Sequence, residues 1–146
     1  MKEFFQFNLE TSGCVPEIAT PIYLSKPDST ADKIKCSAIW DTGATSSMIS
    51  AAIAKKLALA SIGTTQIAGV HGVSNAKCYQ VDITFGNGFC LQKIKVSEAS
   101  DFGGFDLLVG MDIIGHGIMI LDGTRDKKLC VHFQIPTENN KKIGSF

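Results

Sequence analysis

The sequence lacks the features that would assign it to a fibrous, disordered or membrane class. It has no internal repeat and no low-complexity tract, and 45% of its 146 residues are apolar, enough to bury a core. No apolar run approaches 18 residues without a charge, so no segment is predicted to span a bilayer. Basic and acidic residues both total 14, which leaves no basic footprint for nucleic acid. We therefore expect neither a membrane nor a nucleic acid as partner.

Cysteine and histidine are too scattered to predict a metal site. No Cys-x-x-Cys pair occurs, and ordinary zinc sites need closely spaced ligands. The N-terminus has no long apolar segment of the secretory type. The odd number of cysteines favours buried thiols in a reducing compartment, and we expect a cytoplasmic protein. The cysteines stand at positions 14, 36, 78, 90 and 130, and the histidines at 71, 116 and 132.

Short alternating segments dominate the chain and predict half-buried strands. Apolar and polar residues alternate over residues 5–9, 34–40, 79–85 and 129–133, and a further strand is expected around 22–24. Gly86-Asn87-Gly88 is typical of a type I′ turn and predicts a hairpin over 77–96. Asp122-Gly123-Thr124 predicts a second turn, between strands at 118–121 and 129–133.

Only one helix has clear local signals, at residues 51–60. Ser50 can cap it, Ile53 and Leu57 mark one face, and Gly63 can end it. A second short helix is expected to start near Met111. The chain is therefore predicted to be mainly β, barrel-like or sandwich-like, with one or two short helices. We expect a single domain over 1–146, with its core at about 5–136 and a polar tail at 137–146.

The segment most informative about chemistry is Asp41-Thr42-Gly43, which directly follows the apolar residues 38–40. An aspartate at the end of a buried strand is costly unless it is hydrogen-bonded. Gly43 allows a sharp turn that brings an amide close to the carboxylate, and the Thr42 hydroxyl can lock the loop. The tripeptide alone is weak evidence, because Asp and Gly are common in plain turns after strands.

A second motif, Leu108-Val109-Gly110 followed by Met111-Asp112, reads as an apolar strand leading into a short helix. With Asp41-Thr42-Gly43-Ala44-Thr45 ahead of it, and with a strand, a short helix and a glycine-containing hairpin between them, the sequence resembles the retropepsin-like aspartic proteases, single-domain relatives of pepsin. The resemblance covers about residues 34–133. It implies a closed acid-protease β-barrel with one Asp-Thr-Gly per chain.

The resemblance also implies an aspartic endopeptidase in which two carboxylates activate one water and share one proton. The chain has a single Asp-Thr-Gly, so the second Asp41 should come from an identical chain in a homodimer. Thr42 would then hydrogen-bond the partner's backbone, and Gly43 would contact substrate. Ala44 and Thr45 are further expected peptide-binding residues. No metal or organic cofactor is implied, since carboxylates alone activate the water.

The flap of such an enzyme is expected in the hairpin before Tyr79. Its tip is predicted over residues 68–75, and the expected substrate-binding residues of the tip are Ala68, Gly69, Val70, His71 and Gly72. His71 has two interpretations, a pH-sensitive contact at the tip or an ordinary exposed loop histidine. Closure of the hairpin would exclude water and hold an extended peptide by strand addition.

Two positions depart from the retroviral pattern. Thr45 and Met111 stand where many retroviral members have an acid and an arginine that form an ion pair bracing the dimer. Both charges are absent together, so no unpaired charge is left and hydroxyls or packing must supply the bracing. Residues 1–9 and 130–136 are candidates for the dimer interface, because sheet edges need cover.

Alternatives stay open for both the site and the function. Asp82, Asp106 and Asp112 are other carboxylates, although a cap at a helix start would explain Asp112. Ser46 and Ser47 lack the elbow motif of a serine nucleophile. The chain could instead be a non-catalytic peptide-binding or dimerisation module with the acid-protease fold, since fold does not fix function. The intact Asp-Thr-Gly argues against that alternative.

Overall fold

The computed structural model describes residues 4–13, 15–29, 32–86, 88–100 and 103–136. The predicted polar tail at 137–146 and Asn87 of the predicted turn lie outside these ranges. No helix in the described ranges is long and apolar enough to cross a membrane. The elements are β1 (Phe4–Glu10), β2 (Ile18–Ser25), β3 (Ile34–Trp40), β4 (Met48–Ser50), α1 (Ala51–Lys56), β5 (Gly63–Gly69), β6 (Gly72–Phe85), β7 (Cys90–Ala99), β8 (Leu107–Val109), α2 (Met111–Ile114), β9 (Ile118–Arg125) and β10 (Lys128–Pro136).

The strands form two sheets, and the prediction of a mainly β chain with one or two short helices is confirmed, since α1 and α2 are both short. One sheet has seven strands in the order β2-β3-β8-β4-β7-β6-β5, and the other has the order β1-β10-β9. An additional antiparallel pairing joins β2 to β6, so that β2, β3, β8, β4, β7 and β6 form a hydrogen-bonded ring. Only β5 of the larger sheet lies outside this ring.

Strand β8 determines where the ends of distant segments meet. It pairs in parallel with β3, with Trp40 opposite Val109, and antiparallel with β4. All three residues of β8 are apolar and buried, as expected for a strand with neighbours on both edges in a sheet interior. Because parallel strands end at the same side, the loop after β3 and the turn after β8 are brought together.

The core joins the two sheets through aromatic packing. The Trp40 and Phe133 ring centroids are 4.9 Å apart, so a β3 side chain contacts one from β10 of the smaller sheet. The buried indole also donates a 2.9 Å hydrogen bond from Nε1 to Thr20 Oγ1, which satisfies its polar atom. These contacts anchor the end of β3, from which Asp41 leads off.

Two predicted boundaries are wrong, and each error has a local cause. Ser50 caps α1 as expected, since its Oγ accepts the Ile53 amide at 3.3 Å, but the helix ends at Lys56 instead of residue 60. Ala58 adopts a left-handed φ of 49°, which stops the helix early, and Gly63 begins β5 instead of ending the helix.

The second boundary error concerns the turn predicted at residues 122–124. Strand β9 continues to Arg125, and the turn falls at Asp126-Lys127, where φ is 43° and 59°. Asp122 Oδ1 accepts the Thr124 amide at 2.9 Å and its hydroxyl at 2.6 Å. These hydrogen bonds give Asp122 and Thr124 local partners although both residues lie within a strand. The pairing with strand β10 is irregular beside them, where the register shifts between Lys128 and Cys130.

Candidate active site

Asp41 lies directly after β3 in a loop held from both sides. Its amide donates to the Val109 carbonyl of β8 at 2.9 Å, and its Oδ1 accepts the Gly43 amide at 2.8 Å. The expected contact between a carboxylate and a nearby amide is therefore present. A Cβ on Gly43 would stand 3.1 Å from Asp41 Oδ1, so a larger residue would crowd the carboxylate. Asp41 is half-buried, while Thr42 and Gly43 are exposed.

The later part of this loop, from Ala44 onwards, is hydrogen-bonded to the start of α2. Met111 and Asp112 donate their amides to the carbonyls of Ala44 and Thr45, at 2.8 Å and 3.2 Å. Gly110 makes this approach possible, because a Cβ there would lie 2.7 Å from the carbonyl carbon of Ser46. The glycine of the second motif is thus explained by close backbone contact.

A buried hydrogen-bond network fastens the loop further. Asp112 accepts twice from Ser47: the hydroxyl donates to Oδ1 at 2.7 Å and the amide to Oδ2 at 2.9 Å. Ser47 Oγ in turn accepts the Gly110 amide at 3.0 Å. Ser47 has no exposed surface, so its polar atoms depend on these partners. The hydroxyl of Ser47, rather than an ion pair, braces the loop within the chain.

The interpretation of Asp112 as a helix cap is wrong. The N-cap of α2 is Gly110, which forms no side-chain cap bond, and Asp112 lies in the first turn with its carboxylate directed at Ser47. The role of Ser47 was missed. The one signal for it in the sequence is a hydroxyl residue shortly after the Asp-Thr-Gly, combined with an acid shortly after Gly110.

A groove of about 660 Å³ opens beside the loop. Strand β5 and strand β7 form its other walls. Of the expected site residues, Gly43, Ala44, Thr45 and Ala68 line it, whereas Asp41, Thr42, Gly69, Val70, His71 and Gly72 do not. The remaining lining residues were not predicted: Ser46, Met48, Thr65, Gln66, Ile67, Ile94, Lys95, Ser97, Asp112 and Ile113.

The tip of the β5–β6 hairpin projects away from the body of the molecule. Gly69 pairs with Gly72, and Val70 and His71 form the two-residue turn between them. Val70 is 99% exposed, and His71 is also exposed. A large apolar side chain so fully in water has no partner within the described part of the chain.

The other candidate carboxylates have structural partners elsewhere. Asp82 is buried and accepts the amides of Lys93 at 2.8 Å and Asp28 at 3.2 Å. Asp106 accepts the Ser37 amide at 2.9 Å, at the end of β8 opposite to Gly110. These bonds explain both acids without catalysis. Across the described ranges, no group of three His, Cys, Asp or Glu residues is arranged to hold a metal ion.

Comparison with known families agrees with this geometry. A family model described as aspartyl protease matches residues 29–113, more than half of the chain, including the Asp41 loop and Gly110. The chain belongs to the aspartyl protease family. No curated protein sequence matches it.

Solved structures show the fold of this family member to be retropepsin-like. A retropepsin-like aspartic protease from Rickettsia conorii is 14% identical with a TM-score of 0.59, covering 93% of this chain and 98% of that one. An inhibitor complex of EIAV protease is 19% identical with a TM-score of 0.54, covering 72% of this chain and 91% of that one. The resemblance in the sequence is therefore confirmed for family and fold.

Proposed function

We propose that this aspartyl protease family member is an endopeptidase that acts as a homodimer, with Asp41 of each chain at the twofold axis. One observation carries the proposal: Asp41 is held by the amide of Gly43, which lines an open groove together with Ala44 and Thr45 of the same loop. Among the described residues, the other candidate acids, Asp82, Asp106 and Asp112, accept hydrogen bonds that hold the fold together. Asp41 instead lies in a loop whose next two residues, Thr42 and Gly43, are exposed. A single Asp-Thr-Gly per chain makes a second copy necessary.

The proposed chemistry needs only the two carboxylates and water. The ionised Asp41 takes a proton from the water as its oxygen attacks the scissile carbonyl carbon, and the protonated Asp41 donates to the carbonyl oxygen. As the tetrahedral intermediate collapses and the C–N bond breaks, the first Asp41 passes the proton it took from water to the leaving nitrogen. One hydroxyl of the intermediate returns its proton to the second Asp41 as the new carboxyl group forms. In each chain the Gly43 amide would hold the Asp41 carboxylate in place through its hydrogen bond to Oδ1. No cofactor takes part in this scheme.

The groove and hairpin are proposed to hold the peptide. The substrate would lie extended against Gly43, Ala44, Thr45 and Ala68, with alternate side chains in the groove. The β5–β6 hairpin is the proposed flap, and its tip, residues 69–72, would fold over the bound peptide. Burial of the fully exposed Val70 against substrate would favour the closed position. Thr42 would hydrogen-bond the partner's loop.

The pairing of strands narrows the proposed dimer interface. Strand β10 pairs with β1 on one side and β9 on the other, so residues 130–136 have no free edge for a partner strand. Strands β1 and β9 each have one free edge in the described structure, so the expected candidate at residues 1–9 stays open. On β9, Ile118 and Ile120 are each about half exposed. Three residues separate strand β9 from α2, and the first residues of α2 donate hydrogen bonds to the Asp41 loop. We propose that the second copy packs against β9, because it would cover the exposed apolar side chains of this edge strand.

The test is digestion of a diverse peptide library at pH 4 to 7, read by mass spectrometry at high protein concentration to favour dimers. Wild type and Asp41→Asn are run beside Asp126→Asn, a matched change in an exposed turn. Cuts made by wild type and Asp126→Asn but lost in Asp41→Asn support the proposal. Cuts that persist in Asp41→Asn, or cuts by a proven monomer, contradict it. Peptide binding without cleavage would favour the non-catalytic binding module.

A cytoplasmic location also belongs to this proposal. The four described cysteines are free, and Cys36 and Cys78 are buried. Burial raises the pKa of the Cys36 thiol to about 11, which keeps it protonated and unreactive near neutral pH. Free thiols of this kind fit a reducing compartment. Thiol labelling of freshly isolated protein, before and after unfolding, tests this proposal. Free thiols at these cysteines support a reducing compartment, and disulfide bonds between them would contradict it.

A further inference from the structure

Two charged side chains line the groove, and only one of them is free to meet a substrate. Asp112 uses both carboxylate oxygens to accept from Ser47. Lys95 is exposed, and no carboxylate of the described residues forms an ion pair with it. Lys95 is therefore the one charged side chain of the groove lining that no described residue engages.

The position of Lys95 along β7 determines where its positive charge lies relative to the Asp41 loop. Ser97 lies two residues further along the same face, and its amide donates to the Ser47 carbonyl at 3.2 Å, next to the Asp41 loop. Lys95 is thus about 7 Å further from the loop along the strand. Met48, Ile67 and Ile94 supply apolar surface to the same groove. A side chain with an aliphatic stem and an acidic end matches this combination.

We propose that Lys95 selects peptides with an acidic residue, glutamate before aspartate, at the position that lies over the groove. The inference rests on the proposed function only in that the groove receives a peptide. A carboxylate beside the ammonium group gains charge attraction that a neutral or basic residue lacks, and electrostatic complementarity of this kind contributes mainly to specificity. Because Lys95 is solvated, we expect a preference of about 3- to 10-fold.

The experiment measures binding separately from cleavage. A library of random decapeptides is passed over immobilised Asp41→Asn, and the retained peptides are sequenced by mass spectrometry. The same selection uses the double variants Asp41→Asn with Lys95→Glu and Asp41→Asn with Lys26→Glu. Lys26 is exposed and outside the groove, so its variant is a control with the same change of charge.

The expected result is enrichment of Glu and Asp at one peptide position. The enrichment should be reversed to Lys and Arg by Lys95→Glu, unchanged by Lys26→Glu, and reduced at 0.5 M salt through screening. Retention without acidic enrichment, the same enrichment on Lys95→Glu, or no retention at all would overturn the inference. Cleavage of the retained peptides by wild type is scored separately, so a failed proteolytic function leaves the specificity result readable.

Discussion

The Ser47 hydroxyl donates a 2.7 Å hydrogen bond to Asp112 Oδ1, joining residues 65 positions apart. The Ser47 amide donates to the other oxygen of the same carboxylate at 2.9 Å, so the pair resembles a clamp between the Asp41 loop and α2. The clamp fixes the loop that carries the proposed catalytic aspartate. Its contribution to the free energy of unfolding can be measured with variants of Asp112.

We expect Asp112→Ala to lower the free energy of unfolding by about 2–3 kcal/mol, because the buried Ser47 amide and hydroxyl lose a charged acceptor. Asp112→Asn keeps one acceptor oxygen and should recover part of this loss. Urea unfolding of both variants measures the effect, with Asp126→Asn as a control expected within about 0.5 kcal/mol of wild type. Equal stability of Asp112→Ala and wild type would show that these hydrogen bonds do not contribute to the free energy of unfolding.

Gly110→Ala should be strongly destabilising. Its Cβ would meet the backbone of Ser46 at 2.7 Å and the Ala44 carbonyl oxygen at 3.0 Å, and backbone atoms cannot move aside cheaply. We expect a loss of about 2 kcal/mol or more, since overpacking forces the loop away from α2. Gly86→Ala is the matched control, because a Cβ there meets nothing within 4 Å. Thermal unfolding compares the two, and similar midpoints would contradict the close contact.

Tyr79 provides a test that depends on pH. Its hydroxyl donates to Glu98 Oε2 at 2.6 Å, and this hydrogen bond, aided by burial, raises the pKa of Tyr79 from 10.0 to about 12. Below pH 10 the phenol is protonated in both states, and the hydrogen bond contributes fully. Between pH 10 and 12 the unfolded chain loses this proton while the folded chain keeps it, so stability falls as pH rises.

Tyr79→Phe removes both the hydrogen bond and its titration. At pH 7 the variant should be less stable than wild type by about 1–2 kcal/mol. The gap should narrow as pH rises from 10 towards 12, because only wild type loses the contribution of this group. Urea unfolding at pH 7, 9 and 11 measures the gap. A constant gap over this range would mean that the phenol does not retain its proton in the folded state.

Ile120→Asp tests the proposed interface on β9. Ile120 is 53% exposed, so the substitution should leave the monomer folded, but it would bury an unpaired charge against a second copy. We expect the dimer dissociation constant to rise at least about tenfold. Sedimentation velocity across protein concentrations measures it, with Ile62→Asp as control at 52% exposure. If both variants self-associate like wild type, the second copy lies elsewhere.

Local signals explain why much of the fold could be predicted. Period-two alternation marked the strand at 34–40, the cap at Ser50 marked the start of α1, and Gly69 and Gly72 marked the hairpin tip. These features depend on neighbours within a few residues. The two wrong boundaries, at Ala58 and at Asp126-Lys127, arise where non-glycine residues adopt left-handed φ that composition does not announce.

The sequence by itself determined the mainly β class, the family resemblance and the position of Asp41 at a strand end, because each depends on a local pattern or a short motif. Only the tertiary structure decided that β8 inserts between β3 and β4, that Ser47 and Asp112 meet, and that Lys95 lines the groove. Those contacts join residues far apart in the chain. Their partners are chosen by sheet register and backbone packing, which no local pattern specifies.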